Sequence, residues 1–254
     1  MKGRGLEASA RLRATDVAAL LAEMLEVESL THPVRDVLDA GAGRDLPVSL
    51  PDGARVIGLD LFEESLSENP RLDERIVGDI ETYPLPPGRF DVVLCWNVLE
   101  HLSHPLRALA NLHSALRPGG ILILGVPNLE APKTLVTKLT PHRFHVWIYR
   151  RVLGNPSAGL PGYAPFPTFL RLDLAPRRLR RSLERLGFGI EAELPYASGM
   201  VEAIVTRNAA LRLSWNVVAA LWRALGLDPE LGDVAWILRK GSASTAHSGG
   251  ESGR

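Results

Sequence analysis

Apolar residues in this chain follow two rhythms. Short continuous runs end in a polar residue: Val37-Leu38 before Asp39, Val56-Ile57-Gly58-Leu59 before Asp60, and Ile76-Val77 before Asp79. Val92 to Trp96 precedes Asn97, and Ile121 to Val126 precedes Asn128. Runs of this length read as strands, and uninterrupted ones suit parallel strands buried on both faces. Between them the spacing turns helical. Val17, Leu20, Leu21, Met24 and Leu25 follow a start at Thr15 or Asp16. Leu106, Leu109, Leu112 and Leu116 line one side of a helix that opens near Pro105 and stops at Pro118-Gly119-Gly120. Strands are expected over 36–40, 55–60, 75–78, 92–96, 121–126, 188–194 and 234–239, with a helix over 176–187 closed by Gly187 and a largely helical stretch over 201–226. The alternation predicts an α/β fold, a doubly wound, mostly parallel seven-stranded Rossmann-like sheet. Right-handed crossovers then bring every strand C-terminus to one rim, where such sheets bind ligands.

The polar residues that end the runs gather at that rim. Asp39 is followed by Gly41 and Gly43, a turn in which backbone approaches a ligand closely. Asp60, at the end of the second run, is placed to accept from ribose hydroxyls. A dinucleotide fold would carry a third glycine at position 46, where this chain has Leu46. No lysine-bearing phosphate loop is present either. The pattern predicts a nucleoside site without a pyrophosphate cradle and disfavours a dehydrogenase.

Residues 128 to 170 interrupt the alternation with Pro, Gly and aromatic residues, and a long irregular insertion beside a ligand rim reads as a lid. The expected organisation is one domain over 1–240, with 128–170 as a lid or substrate insertion and 201–226 as a helical insertion, then a Ser/Gly-rich disordered tail over 241–254. Residues 1–13 read as loose and basic.

The 254 residues are 46% hydrophobic and 23% charged, enough for a real core in an ordinary soluble chain. The single cysteine, Cys95, excludes an intramolecular disulfide and reads as a buried small hydrophobe. There is no apolar leader and no span of transmembrane length, so a cytoplasmic location is expected. Net charge is zero but uneven. From Lys133 to Arg185, 11 basic residues face only Asp173 and Glu184, a local excess of +9. That asymmetry suggests an anionic partner or acceptor; the alternative is the solvated face of one arginine-rich helix.

Together the motifs resemble the class I S-adenosylmethionine-dependent methyltransferases. They run from Val37-Leu38-Asp39-Ala40-Gly41-Ala42-Gly43 and Val56-Ile57-Gly58-Leu59-Asp60 through Gly78-Asp79-Ile80 to Phe90-Asp91-Val92-Val93. The pieces Asn97-Val98-Leu99-Glu100-His101-Leu102 and Leu116-Arg117-Pro118-Gly119-Gly120 are most similar to the small-molecule, ubiquinone-biosynthesis-like branch. The likeness is close over about 33–128. It implies S-adenosyl-L-methionine as cofactor. Gly41 and Gly43 would pass close to its methionine part, with Asp39 near the ammonium group. Asp60, with Leu61 beside it, would hold the ribose. Asp79 would accept from the adenine amino group while Ile80 packs on the ring, and Asn97 would face the reacting methyl. The alternative for each aspartate is a helix N-cap after a strand.

Methyl transfer from a sulfonium is an in-line displacement, governed largely by proximity, though a hydroxyl acceptor still needs a base. His101, His142 and His145 are the candidates. His142 and His145 could also form a structural turn or a packed helix face, and His101 could orient its loop. No compact zinc-type ligand set is present, so no metal is expected. The leading reading is O- or N-methylation of a small, anionic metabolite, glycan or lipid precursor, with a possible homodimer over the apolar 201–226 segment. An RNA or protein methyltransferase is the second. The Asn-Pro-Pro-Tyr type of motif is absent where Trp96-Asn97-Val98-Leu99 stands, which disfavours nucleic-acid bases. A non-catalytic scaffold that kept the fold is the third.

Overall fold

The computed structural model describes residues 11–169 and 171–242; the expectations for residues 1–10 and 243–254 lie outside them. The chain opens with helix α1 (Ala14–Thr31), then β1 (Asp36–Ala40), β2 (Arg55–Asp60), α2 (Glu63–Glu68), β3 (Glu74–Val77) and β4 (Phe90–Trp96). A short 3-10 turn at Leu99–His101 leads to α3 (Pro105–Ala115) and β5 (Leu116–Pro127). Next come α4 (Pro132–Leu139), α5 (His142–Arg151), α6 (Pro176–Arg185), β6 (Phe188–Tyr196), α7 (Gly199–Arg207), α8 (Ala209–Ala224) and β7 (Asp233–Lys240).

The seven strands form one sheet in the order β3-β2-β1-β4-β5-β7-β6. β1 to β5 pair in parallel, whereas β7 runs antiparallel to both β5 and β6. Both faces are buried, so the central strands alternate between two cores instead of between core and solvent. Leu38, Val93, Cys95, Leu122, Leu124 and Trp236 belong to one core with α3 and α6. Val37, Val92, Leu94, Ile121, Ile123 and Ala235 belong to the other, covered by Val17, Leu21 and Leu25 of α1. This is why the strands read as unbroken apolar runs. The direction of strand order reverses between β1 and β4, and the crevice at that reversal is the expected ligand position.

Two expectations are corrected. α3 ends at Ala115, and Leu116 already pairs with Phe90, so Pro118-Gly119-Gly120 lies inside β5 instead of stopping a helix. Gly120 fits there because a side chain would press on the carbonyl oxygens of Asp91 and Arg117 at 3.0 Å. The 128–170 insertion is not irregular throughout. Its first half folds into α4 and α5, and His142 opens α5. The 201–226 stretch is helical as read, in two pieces that break at Asn208, whose side chain caps α8 by accepting from Leu211 N at 3.0 Å.

Candidate active site

One side of the rim is built by backbone. Asp39 sits inside β1 and is 2% exposed; its Oδ2 has no hydrogen-bond partner. Burial, with the charges of Asp60 and Asp45 added, pushes its carboxyl up to about 8. A buried carboxyl with an open lone pair is the group a cation would satisfy, which suits the ammonium group expected beside it.

Gly41 and Gly43 follow with φ of +84° and +52°. A Cβ on Gly41 would overlap the Val98 side chain, so this glycine lets the turn close against the loop after β4. A Cβ on Gly43 would meet nothing within 4 Å, so this glycine faces open space. Asp60, the last residue of β2, accepts from Gly43 N at 3.0 Å through Oδ2 and from Phe62 N at 2.9 Å through Oδ1. The carboxylate thus ties the glycine turn to the start of α2, and each oxygen keeps a second lone pair. Leu61 beside it is 57% exposed. Asp79 caps the next turn, accepting from Glu81 N at 2.8 Å, and Ile80 is buried in the core below. Asn97 adopts φ +56°, a rare conformation for a non-glycine residue; its N–H bonds the Gly125 carbonyl at 2.9 Å. Asn128, in contrast, serves the fold. Its side chain donates to Leu231 O at 2.8 Å and accepts from Glu130 N at 3.0 Å.

A strap over 160–169 spans the crevice. The Gly162 carbonyl accepts from Arg44 and from Ser65 Oγ, and Arg44 lies 3.6 Å over the Tyr163 ring. Phe166 stacks on Phe62 at 5.7 Å and meets His101 edge-on at 5.7 Å. The Phe169 N–H donates to Glu100 O at 2.9 Å. The strap is thereby tied to both banks.

Beyond Asn97 lies a cavity of about 830 Å³. Residues after β4 and β5, together with α4, α5, α7 and α8, enclose it, and its walls are mainly apolar, including Phe144, Ile148, Met200, Ile204 and Trp215. Polar lining residues come from several elements. Glu100 and His101 follow β4, Lys133 opens α4, Ser198 precedes α7 and Asp233 begins β7. Lys133 Nζ is spent on an ion pair with Asp233 and a 3.0 Å bond to Ser198 Oγ. Glu100 is 6% exposed, and its Oε2 has no partner. Burial first, then the charge of Asp233, pushes its carboxyl up to about 8.

The three histidines separate. His101 lines the cavity, and its Nδ1 lies 2.7 Å from Pro167 O. A carbonyl only accepts, so Nδ1 carries the hydrogen and Nε2 of the neutral ring has the lone pair. Burial lowers the pKa of His101 and favours that neutral ring. His145 also lines the cavity, bonded to Thr140 Oγ1 at 2.6 Å through Nε2. The Thr140 hydroxyl already donates to Val136 O, so His145 Nε2 donates to it. His142 is not among the lining residues; its Nδ1 is buried without a partner, and its ring stands 6.3 Å from His145. The arginines of 177–185 do not line the cavity either. Leu179 and Leu183 turn α6 onto the sheet; Arg177, Arg178, Arg181 and Arg185 are exposed, and Arg180 lies over the buried Trp236 ring and pairs with Glu193. Sequence reasoning missed Glu100, Lys133, Ser198 and Asp233 as a group. Only the Glu100-His101 pair carried a local signal.

Residues 38–124 match the family described as a methyltransferase domain. Over this stretch the chain is similar to class I methyltransferase domains. The cofactor of this domain type is S-adenosylmethionine. A probable S-adenosylmethionine-dependent methyltransferase of Mycolicibacterium smegmatis is 39% identical over 100 residues, 37% of this chain and 38% of that protein. A ubiquinone biosynthesis O-methyltransferase of Xanthomonas campestris is 34% identical over 106 residues, 38% of this chain and 44% of that protein. The matched stretches span between 38% and 63% of the length of the first curated relatives. Among solved structures, the [4+2]-cyclase SpnF superposes with a TM-score of 0.55 at 18% identity, covering 93% of this chain and 86% of that one. It shares the fold of the methyltransferase domain. No helix among the described residues is long and apolar enough to cross a membrane, and no group of three or more His, Cys, Asp or Glu among them could hold a metal.

Proposed function

We propose that this protein transfers a methyl group from S-adenosylmethionine to a small acceptor held in the cavity beside Asn97. The observation that carries this reading is the junction of two built spaces. An unpartnered buried Asp39, an open-faced Gly43 and the Asp60 carboxylate line one side of the rim, and an apolar cavity begins at Asn97. Asp39, Gly41, Gly43, Asp60, Leu61, Asp79, Ile80 and Asn97 are the proposed cofactor residues. The cofactor supplies a methyl already activated on a sulfonium, so the chain contributes mainly position and exclusion of water. The cavity volume lies within the roughly 300–1,000 Å³ usual for small-molecule sites, which favours a metabolite over a macromolecule. The +9 excess of 133–185 gives no support to an anionic acceptor, because the arginines of α6 lie off the cavity.

For an O–H or N–H acceptor, His101 is the proposed base. Its Nε2 holds the lone pair, and the strap fixes the ring through Nδ1. His145, with Nε2 committed to Thr140, is better placed as a wall of the pocket. Because a cyclase shares this fold, the fold alone does not decide the reaction. The deciding experiment is calorimetric titration with S-adenosylmethionine and S-adenosylhomocysteine, alongside Asp60→Ala and an NAD control. Binding of the first two, weakened in the variant and absent for NAD, is expected. A folded protein that binds neither overturns the reading.

A further inference from the structure

Resting on the acceptor cavity just proposed, the chemistry of its polar end defines the kind of molecule it takes. Three observations converge there. Glu100 is buried, lines the cavity and has an oxygen with no hydrogen-bond partner. A buried polar group left unsatisfied is costly, so it persists where something else satisfies it. The one lysine on the lining, Lys133, is already matched by Asp233 and Ser198 and is not free to receive an anion. A second carboxylate near Glu100 would add to the repulsion that Asp233 already exerts on it. The remaining wall is apolar over most of its extent, with Phe144, Ile148, Ile204 and Trp215 among its residues.

We propose that Glu100 anchors the polar end of the acceptor, and that the acceptor is a mostly apolar molecule whose polar end donates a proton: a hydroxyl or an amine, not an anion. The Glu100 carboxyl accepts from that O–H or N–H. The anchor follows Asn97 by three residues and adjoins His101, so the proton-bearing atom is held where the proposed methyl side and the proposed base meet. The apolar body fills the space under α5, α7 and α8. An amine gains most, because its positive charge would hold the buried Glu100 carboxyl in its ionised form and pair with it.

The test uses three probes with one tail and different heads: octylamine, 1-octanol and octanoate. Trp96 and Trp215 line the cavity, so their fluorescence reports occupancy without any turnover. The expected order of affinity is amine, then alcohol, then carboxylate. Glu100→Gln is expected to weaken octylamine at least tenfold and to narrow the gap to octanoate. Octanoate binding as tightly as octylamine, an unchanged order in Glu100→Gln, or no binding of any probe overturns the proposal. If the variant melts too low to titrate, the head-group order in the native protein decides alone. S-adenosylmethionine titration of the same native sample separates the two readings. Cofactor binding with a reversed head-group order rejects the Glu100 assignment only. An intact order without cofactor binding rejects methyl transfer only.

Discussion

The two banks of the rim are made in different ways. On the cofactor bank, every proposed contact lies within a few residues of a strand end, and Asp60 reaches back only to the Gly43 turn. On the acceptor bank, Glu100, Lys133, Ser198 and Asp233 come from four places spread over more than half the chain, and four helices complete the wall. The first bank is held by backbone hydrogen bonds, the second by side-chain packing and one buried ion pair. The difference teaches where change is tolerated. A backbone-built site fails when its turns fail, whereas a side-chain-built cavity can be reshaped without loss of the fold.

The sharpest way to break the comparison is Gly41→Ala. It combines a positive φ with overlap on Val98, and should cost about 3 kcal/mol of stability, read as a lowered midpoint in denaturant. Gly43→Ala is its control. With open space around the new methyl it should cost only about 1 kcal/mol, the positive φ alone, while cofactor affinity still drops. Equal melting of the two would show that the Val98 contact does not hold the turn.

Asp60→Ala comes next. Losing charge-assisted bonds of about 1.5–3 kcal/mol each should weaken S-adenosylmethionine by roughly a hundredfold in calorimetry. An unchanged affinity would remove Asp60 from the site.

Titration sharpens the contrast further. The carboxyls of Asp39 and Glu100 both lie at about 8 in the folded chain, far above the ordinary carboxylate value. Their contribution to stability is therefore fully present below the unfolded-chain value and lost as pH rises through about 8. The melting temperature should fall between about pH 5 and pH 9, and less steeply in Glu100→Gln. A cationic group seated at Asp39 would ionise it, so cofactor binding near neutral pH should release a proton, visible as a buffer-dependent heat. Asp39→Asn should abolish that release. A heat independent of buffer in the native protein would place the ammonium elsewhere.

The smallest effect belongs to the outer face of α8, where Leu213, Val217 and Leu221 are exposed at four-residue intervals. Leu213→Ser with Val217→Ser should shift stability by no more than about 0.5 kcal/mol, because neither side chain is packed. A large loss would mean that this face is covered.

Much of the first bank was legible beforehand. Apolar runs ending in Asp39, Asp60 and Asp79 mark strand ends because a doubly covered sheet needs unbroken hydrophobic strands, and the sharp turn after β1 needs glycine. What misled was chemistry that serves either of two neighbours. Leu116 suits a helix face as well as a strand, and pairing with Phe90 decided for the strand. The arginines of 177–185 promised an anion site, but Leu179 and Leu183 set the helix on the sheet so that none of them lines the cavity. His142 and His145 sit three apart on α5, yet only His145 lines the cavity.

The sequence by itself determined the alternation of strands and helices, the glycine turn and the acids at the strand ends, since each rests on contacts among neighbours in the chain. The tertiary structure alone decided that β7 runs antiparallel between β5 and β6, which brings Asp233 to the same rim as Glu100. It also decided that Lys133 would be spent on Asp233, a hundred residues away. Pairings of that range depend on how the sheet closes, and no local pattern of hydrophobic and polar residues encodes them.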